Sequence, residues 1–346
     1  MMKRSLFKSP AIAILGLLLA GGCNPDNPQS ILVASGPVAQ RQLDLFNLLL
    51  WAVTIIFVLV CGWLVYTVIR YRRKPGQGIP EQVHGNTKLE ITWTVIPALL
   101  LAAVAVPTVA AQFYITEPPA GSDQMRIEVT GHQWWWSVVY PDSGVVTANE
   151  IRVPVGKAVV VDLTAEDVIH SFWIPKLAGK IDVVPGKTTS MWFQADEPGE
   201  YLGQCAEFCG ESHAWMKFRV IAQSPEEYEA WTQAQLADAP QPATEAETTG
   251  AQLFITKACI ACHKIEGVPA AAGVIGPNLT HVASRTAIAA GVLDNTEENV
   301  RAWIKDPSEF KPGNIMNRDG LAYTNPQFAL NEDDLNNLTA YILSLK

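Results

Sequence analysis

Two short stretches of this chain carry residue types that do redox chemistry. The first is Cys205-Ala-Glu-Phe-Cys-Gly-Glu-Ser-His-Ala-Trp-Met216, which offers two thiols, an imidazole and a thioether. Soft sulfur donors beside imidazole suit copper in an electron-transfer centre and serve hard, oxygen-preferring cations badly. Cys205 and Cys209, four apart at a tight turn, can bridge a pair of copper ions, with His213 and Met216 as terminal ligands. A second imidazole must come from elsewhere, and His170, in Asp-Val-Ile-His-Ser-Phe at the end of a strand-like run, is the best source. A disulfide between the two cysteines leaves His213 and Met216 unexplained, and zinc has no use for the methionine.

The second stretch is Cys259-Ile-Ala-Cys262-His263, the attachment sequence of a c-type haem. The thiols add to the vinyl groups and His263 becomes an axial ligand. Met316, the only methionine beyond this motif, lies in Lys-Pro-Gly-Asn-Ile-Met and is the candidate for the opposite face. Such His/Met ligation raises the potential of a cytochrome c. Half a zinc site is the competing reading, but no cysteine follows Cys262. His281, in a Gly-Pro loop, reads as a residue bonded to backbone.

The elements that must position these groups follow from composition. At 346 residues the chain is long enough for two or three domains, and its net charge of −9 speaks against nucleic acid as a partner. Lys3, Arg4 and Lys8 followed by Ala11–Ala20 read as a secretory leader, and Ala20-Gly-Gly-Cys23 resembles a bacterial lipoprotein cleavage box. We therefore expect a signal peptide over 1–22, lipidation of Cys23 and a tether over 23–39.

Two apolar segments, about 43–70 and 91–115, each exceed the roughly 20 residues needed to cross a bilayer. Between them Arg70-Tyr-Arg-Arg-Lys74 should stay cytoplasmic, placing both outer ends of the hairpin (40–118) in the periplasm. Cys61 reads as an ordinary apolar residue of the first span. Residues 119–223 alternate as short strands with Gly and Pro between them, the pattern of a β-sandwich. A linker is expected over 224–247, with the Ala-, Pro-, Thr- and Glu-rich composition of a linker running over Ala237–Thr249, and an all-α domain over 248–346 with Asn331 as an N-cap.

With these residues in place, the chain over 40–222 resembles subunit II of haem-copper cytochrome c oxidases, and 246–346 resembles a class I cytochrome c. The fold class implied is a two-helix transmembrane hairpin, an all-β cupredoxin-like sandwich and an all-α cytochrome c domain. The resemblance implies a dinuclear copper (CuA) centre bridged by Cys205 and Cys209. His170 and Met216 would complete one copper, and His213 with the backbone carbonyl of Glu207 the other. It also implies that the Glu207 side chain reaches a Mg or Mn ion at the boundary with subunit I. Trp134, in His-Gln-Trp-Trp-Trp, would be the exposed ring that takes electrons from a cytochrome c, here including the chain's own haem domain. Glu90 would sit at the mouth of a proton pathway. His84 and His132 read as residues making structural hydrogen bonds. The implied function is the electron-receiving subunit of a proton-pumping oxidase in the bacterial inner membrane. Electrons would come from an external cytochrome c or another periplasmic donor and pass to haem a of subunit I, where dioxygen becomes water, with subunit III and membrane lipid as further partners.

Overall fold

The computed structural model describes residues 27–118, 121 and 123–346; Cys23 and the leader lie outside the described residues. Helix α1 runs Pro37–Arg70 and α2 Thr87–Thr116. Both begin earlier than hydropathy suggests. Pro37 pre-sets the first turn of α1, and the Asn86 side chain accepts from the amides of Lys88 and Leu89 at 3.1 and 3.3 Å, which starts α2. At 1.5 Å per residue, α1 is about 51 Å long against a hydrocarbon core of about 30 Å, so its first turns stand clear of the membrane. They dock on the next domain: Val38 and Ala39 are buried, and the Ala39 amide donates to the Leu177 carbonyl. The far end of α2 docks there too, through Tyr114 edge-on against Trp192.

Ten strands follow: β1 Gln124–His132, β2 Trp135–Tyr140, β3 Val145–Ala148, β4 Glu150–Pro154, β5 Ala158–Ala165, β6 His170–Trp173, β7 Lys180–Val183, β8 Thr189–Phe193, β9 Gly199–Cys205 and β10 Lys217–Gln223. They form two five-stranded sheets, ordered β3-β2-β1-β5-β8 and β4-β10-β9-β6-β7. The period-2 alternation of β1 sends Met125, Ile127 and Val129 into the space between the sheets. There Trp136, Phe172 and Phe218 pack ring on ring, Phe172 and Phe218 stacked 4.2 Å apart. Gly203 makes this packing possible, because a Cβ there would lie 2.2 Å from the Phe218 ring.

The connection to the last domain is shorter and more ordered than its composition implies. Helix α3 occupies Pro225–Gln235, and α4 already begins at Glu245 and ends at Thr256, because Thr244 and Glu247 close a capping box. Only 236–244 is non-helical, and it is held down: the Ala239 amide donates to the Glu266 carbonyl, and the Ala237 carbonyl faces His281 Nε2 at 2.9 Å. Beyond the Cys259 motif come a two-residue hairpin, β11 Ala287–Ile288 with β12 Leu293–Asp294, and helices α5 Glu297–Lys305, α6 Pro307–Phe310, α7 Ile315–Asp319, α8 Leu321–Thr324 and α9 Glu332–Ser344. Asn331 caps α9 in a box with Asp334. Helices α4 and α9 cross closely at Gly250, where a Cβ would sit 2.1 Å from the Asn337 carbonyl oxygen.

Candidate functional site

Strand ends bring the sulfur and imidazole donors together at one end of the sandwich. His170 opens β6, Cys205 closes β9, and the turn between β9 and β10 supplies Cys209, His213 and Met216. The Sγ atoms of Cys205 and Cys209 lie 3.7 Å apart, far beyond the roughly 2.05 Å of a disulfide. His170 Nδ1 is 3.9 Å from Cys205 Sγ, His213 Nδ1 3.6 Å from Cys209 Sγ, and Met216 Sδ 3.8 Å from Cys209 Sγ. The Glu207 carbonyl oxygen lies 3.3 Å from Cys205 Sγ. All six candidate donors therefore face one small volume, and His170, Cys205, Cys209 and Met216 are buried.

The supports of this cluster are sequence-distant. His170 Nε2 faces Asp167 Oδ1 at 2.8 Å, which fixes the ring and leaves Nδ1 for the cluster. Burial disfavours the charged His170, but the Asp167 hydrogen bond and the nearby Cys205 outweigh it and leave its pKa raised. The hydrogen bond between the two sulfurs pulls the Cys205 thiol pKa down and pushes that of Cys209 up. Gly131 makes room for the ligand ring: a Cβ there would lie 2.9 Å from His170 Cδ2. Soft, buried, closely spaced donors with one immobilised imidazole fit copper.

The second site is a largely apolar cavity that opens to solvent at its mouth. Cys259, Cys262, His263 and Met316 all line it. His263 Nδ1 lies 2.9 Å from the Pro277 carbonyl oxygen, so this nitrogen carries the proton and Nε2 is free to bind iron. Burial lowers the His263 pKa and keeps the ring neutral, as a ligand must be. Burial also pushes the Cys259 thiol up to about 11, the opposite of an activated redox dithiol. Arg285 lines the same cavity, and its buried Nε has no hydrogen-bond partner among the described residues. A flat apolar group with acidic side arms, held by thioether bonds and iron ligands, fits this set.

The two sites adjoin. Gln133, Trp134, Trp135 and Asn149 of the sandwich line the same cavity as Cys259, Cys262, His263 and Met316. Trp134, expected to be exposed, is only 7% accessible, because the loop between α6 and α7 lies over it. Lys311 Nζ donates to the Trp134 carbonyl, and a Cβ on Gly313 would lie 3.3 Å from the Trp134 ring. Burial pushes the Lys311 ammonium down to about 7. Trp136 is fully buried in the core, so the three tryptophans serve different surroundings.

The other candidates lie apart. Glu90 is exposed in the first turn of α2. The Glu207 carboxylate points out of the sulfur cluster toward Lys180, Nζ 3.9 Å away. His281 bridges backbone, with Nδ1 2.8 Å from the Lys346 carbonyl oxygen and Nε2 2.9 Å from that of Ala237. His132 stacks on Trp135 at 4.4 Å, and His84 is exposed. Sequence reasoning misses Asp167, Lys311 and Arg285. Asp167, three residues before His170, and Arg285, nine after Gly276, carry no motif of their own and gain meaning only from what faces them.

Comparison with known proteins gives the family of the chain. Residues 27–110 match the family model described as cytochrome c oxidase subunit II, transmembrane domain, and 143–223 match its periplasmic domain; 247–346 match cytochrome c. The chain is 42% identical over 342 residues to cytochrome c oxidase subunit 2 of Alkalihalophilus pseudofirmus, covering 97% of this chain and 96% of that protein. The chain belongs to the cytochrome c oxidase subunit II family. It is 36% identical to the Bacillus subtilis subunit 2 over 97% of this chain and 96% of that protein. The quinol oxidase subunit 2 of Bacillus cereus, 36% identical, matches only 69% of this chain and 84% of its own length. Among solved structures, the periplasmic domain of the Bradyrhizobium japonicum subunit II is 35% identical, covering 33% of this chain and 94% of that one, with a TM-score of 0.32.

The protein is thus an oxidoreductase subunit of the bacterial inner membrane that carries its own cytochrome c domain and works with subunit I. Membership implies copper in the sandwich and haem in the last domain.

Proposed function

We propose that this subunit takes electrons from a periplasmic donor through its own haem c and passes them by a dinuclear copper centre to haem a of subunit I, where dioxygen is reduced to water and protons are pumped. The observation that carries this reading is the adjacency of two built sites: Trp134 lines the haem cavity, and its indole Nε1 donates to the Cys209 carbonyl at 3.0 Å. Copper held there would supply one-electron transfer chemistry, while the residues of this chain supply binding and orientation. Cys205, Cys209, His170, Met216, His213 and the Glu207 carbonyl would hold the copper, and Asp167, 2.8 Å from His170 Nε2, would keep that ring oriented with Nδ1 toward the cluster. Cys259 and Cys262 would attach the haem through their sulfurs, and His263 and Met316, which line the same cavity, would hold its iron.

Trp134 receives electrons from the fused domain, whose loop covers its ring, so an external cytochrome c or other donor delivers to the haem domain. Glu90 marks the mouth of a proton pathway into subunit I; its place in the first turn of α2 is also favoured by the helix dipole. A Mg or Mn ion at the boundary with subunit I would use the Glu207 carboxylate, which here has Lys180 Nζ 3.9 Å away. The exposed apolar faces of α1 and α2, with Trp51, Phe57 and Trp63 outward, suit lipid, subunit I and subunit III.

Purification of the complex from membranes, with metal and haem analysis, tests the reading. Two coppers and one covalent haem c per chain are expected, and Cys209→Ser should abolish the copper pair while leaving haem c attached. One copper per chain, or copper binding untouched by Cys209→Ser, contradicts it.

A further inference from the structure

The loop that carries the haem ligand candidate Met316 is fastened to the copper loop from two sides. Lys311, five residues before Met316, is 3% accessible, and its Nζ donates to the Trp134 carbonyl. The Trp134 indole in turn donates to the Cys209 carbonyl, which also accepts from Gln133 Nε2 at 2.7 Å. On the other side, Ser212 Oγ donates to the Pro312 carbonyl at 2.6 Å, and Ser212 immediately precedes His213. Burying a lysine head group is unfavourable unless it is hydrogen-bonded, and here the bond runs to a specific carbonyl in another domain. The loop is itself shaped for this: Asn314 Nδ2 donates to the Lys311 carbonyl at 2.6 Å, and Asn314 Oδ1 caps α7 through the Asn317 amide.

We infer that Lys311 and Ser212 form a two-point clamp that sets the register of the Met316 loop against the Cys209–His213 loop, making Lys311 a positioning residue for electron transfer between the two centres. This rests on the functional reading above and adds to it the residues that fix the spacing. The rest of the interface lies elsewhere. Arg219 pairs with Asp294, the Thr286 amide and hydroxyl donate to Glu150 at 2.8 and 2.9 Å, and the Lys217 amide donates to the Ala290 carbonyl. Those contacts hold the haem domain on the sandwich when the clamp is removed, so its loss acts locally on one loop.

The test uses the intact complex with Lys311→Met, which keeps the length of the side chain and removes the donor, and independently Ser212→Ala. Internal transfer from haem c to copper is followed after flash reduction of the haem. Haem absorption and copper resonance spectra report whether each centre is intact. With both spectra unchanged, each variant should slow the internal step several-fold, since the spacing and orientation of the two centres set its rate. Overall turnover with an external donor should fall in parallel, while the rate at which that donor reduces the haem stays constant. An internal rate equal to wild type in both variants, with both centres intact, overturns the clamp and leaves the functional reading standing. Absence of either centre in the unsubstituted chain overturns both. If Lys311→Met loses haem, Ser212→Ala decides alone.

Discussion

At the scale of single residues, the sites depend on atoms that are missing as much as on those present. Gly276 packs so tightly on the proximal ring that an added Cβ would lie 2.7 Å from His263 Cε1. Gly276→Ala should therefore tilt the imidazole away from the Pro277 carbonyl and weaken the iron bond proposed for His263. We expect a shift of the haem spectrum toward a high-spin form with covalent attachment retained; an unaltered low-spin spectrum would refute this. Gly131→Ala should act likewise on His170, lowering copper retention during dialysis. The sulfur and imidazole donors are legible in the sequence because metal chemistry restricts their types and a turn restricts their spacing. Asp167 and Lys311 are not, since an ordinary aspartate or lysine carries no sign of its partner until the strands and loops are folded around it.

At the scale of elements, polarity patterns set most of what is seen, and caps decide the boundaries. The alternation of β1 and the β-branched run of β5 point to the sandwich, and hydropathy points to both membrane helices. Helix starts at Pro37, Thr87 and Glu245 fall outside the apolar runs because a cap or an N1 proline costs nothing in hydrophobicity and so leaves no trace in it. Asn331→Ala should lower the stability of the haem domain by about 1 kcal/mol, the usual cost of losing an N-cap, measurable by denaturant unfolding. Gly203→Ala forces a methyl group into the Phe218 ring and should cost ~1–3 kcal/mol of sandwich stability, as overpacked cores do. An unchanged midpoint in either variant would show that the neighbours give way more easily than the packing implies.

At the scale of the whole molecule, the feature least visible in the sequence is the covering of Trp134 by the fused domain. An Ala-, Pro- and Thr-rich stretch suggests a free tether, yet helix α4 takes up its second part and His281 ties down the first. The two domains nonetheless keep separate cores, one built on Trp136, Phe172 and Phe218 and the other on Phe254, Leu338 and Tyr341. A chain ended at Pro240 should therefore still insert, fold its sandwich and bind its full copper, with Trp134 now open to external donors. Loss of copper from that shortened chain would mean the haem domain is needed to build the metal site.

The proposed copper centre shares two thiolates between two metal ions, and paramagnetic resonance of the oxidised complex examines that sharing directly. The geometry predicts one unpaired electron split by two near-equivalent copper nuclei, collapsing when Cys209 is replaced by serine. A signal split by a single copper nucleus, or a site that is filled yet silent because it holds zinc, would contradict it.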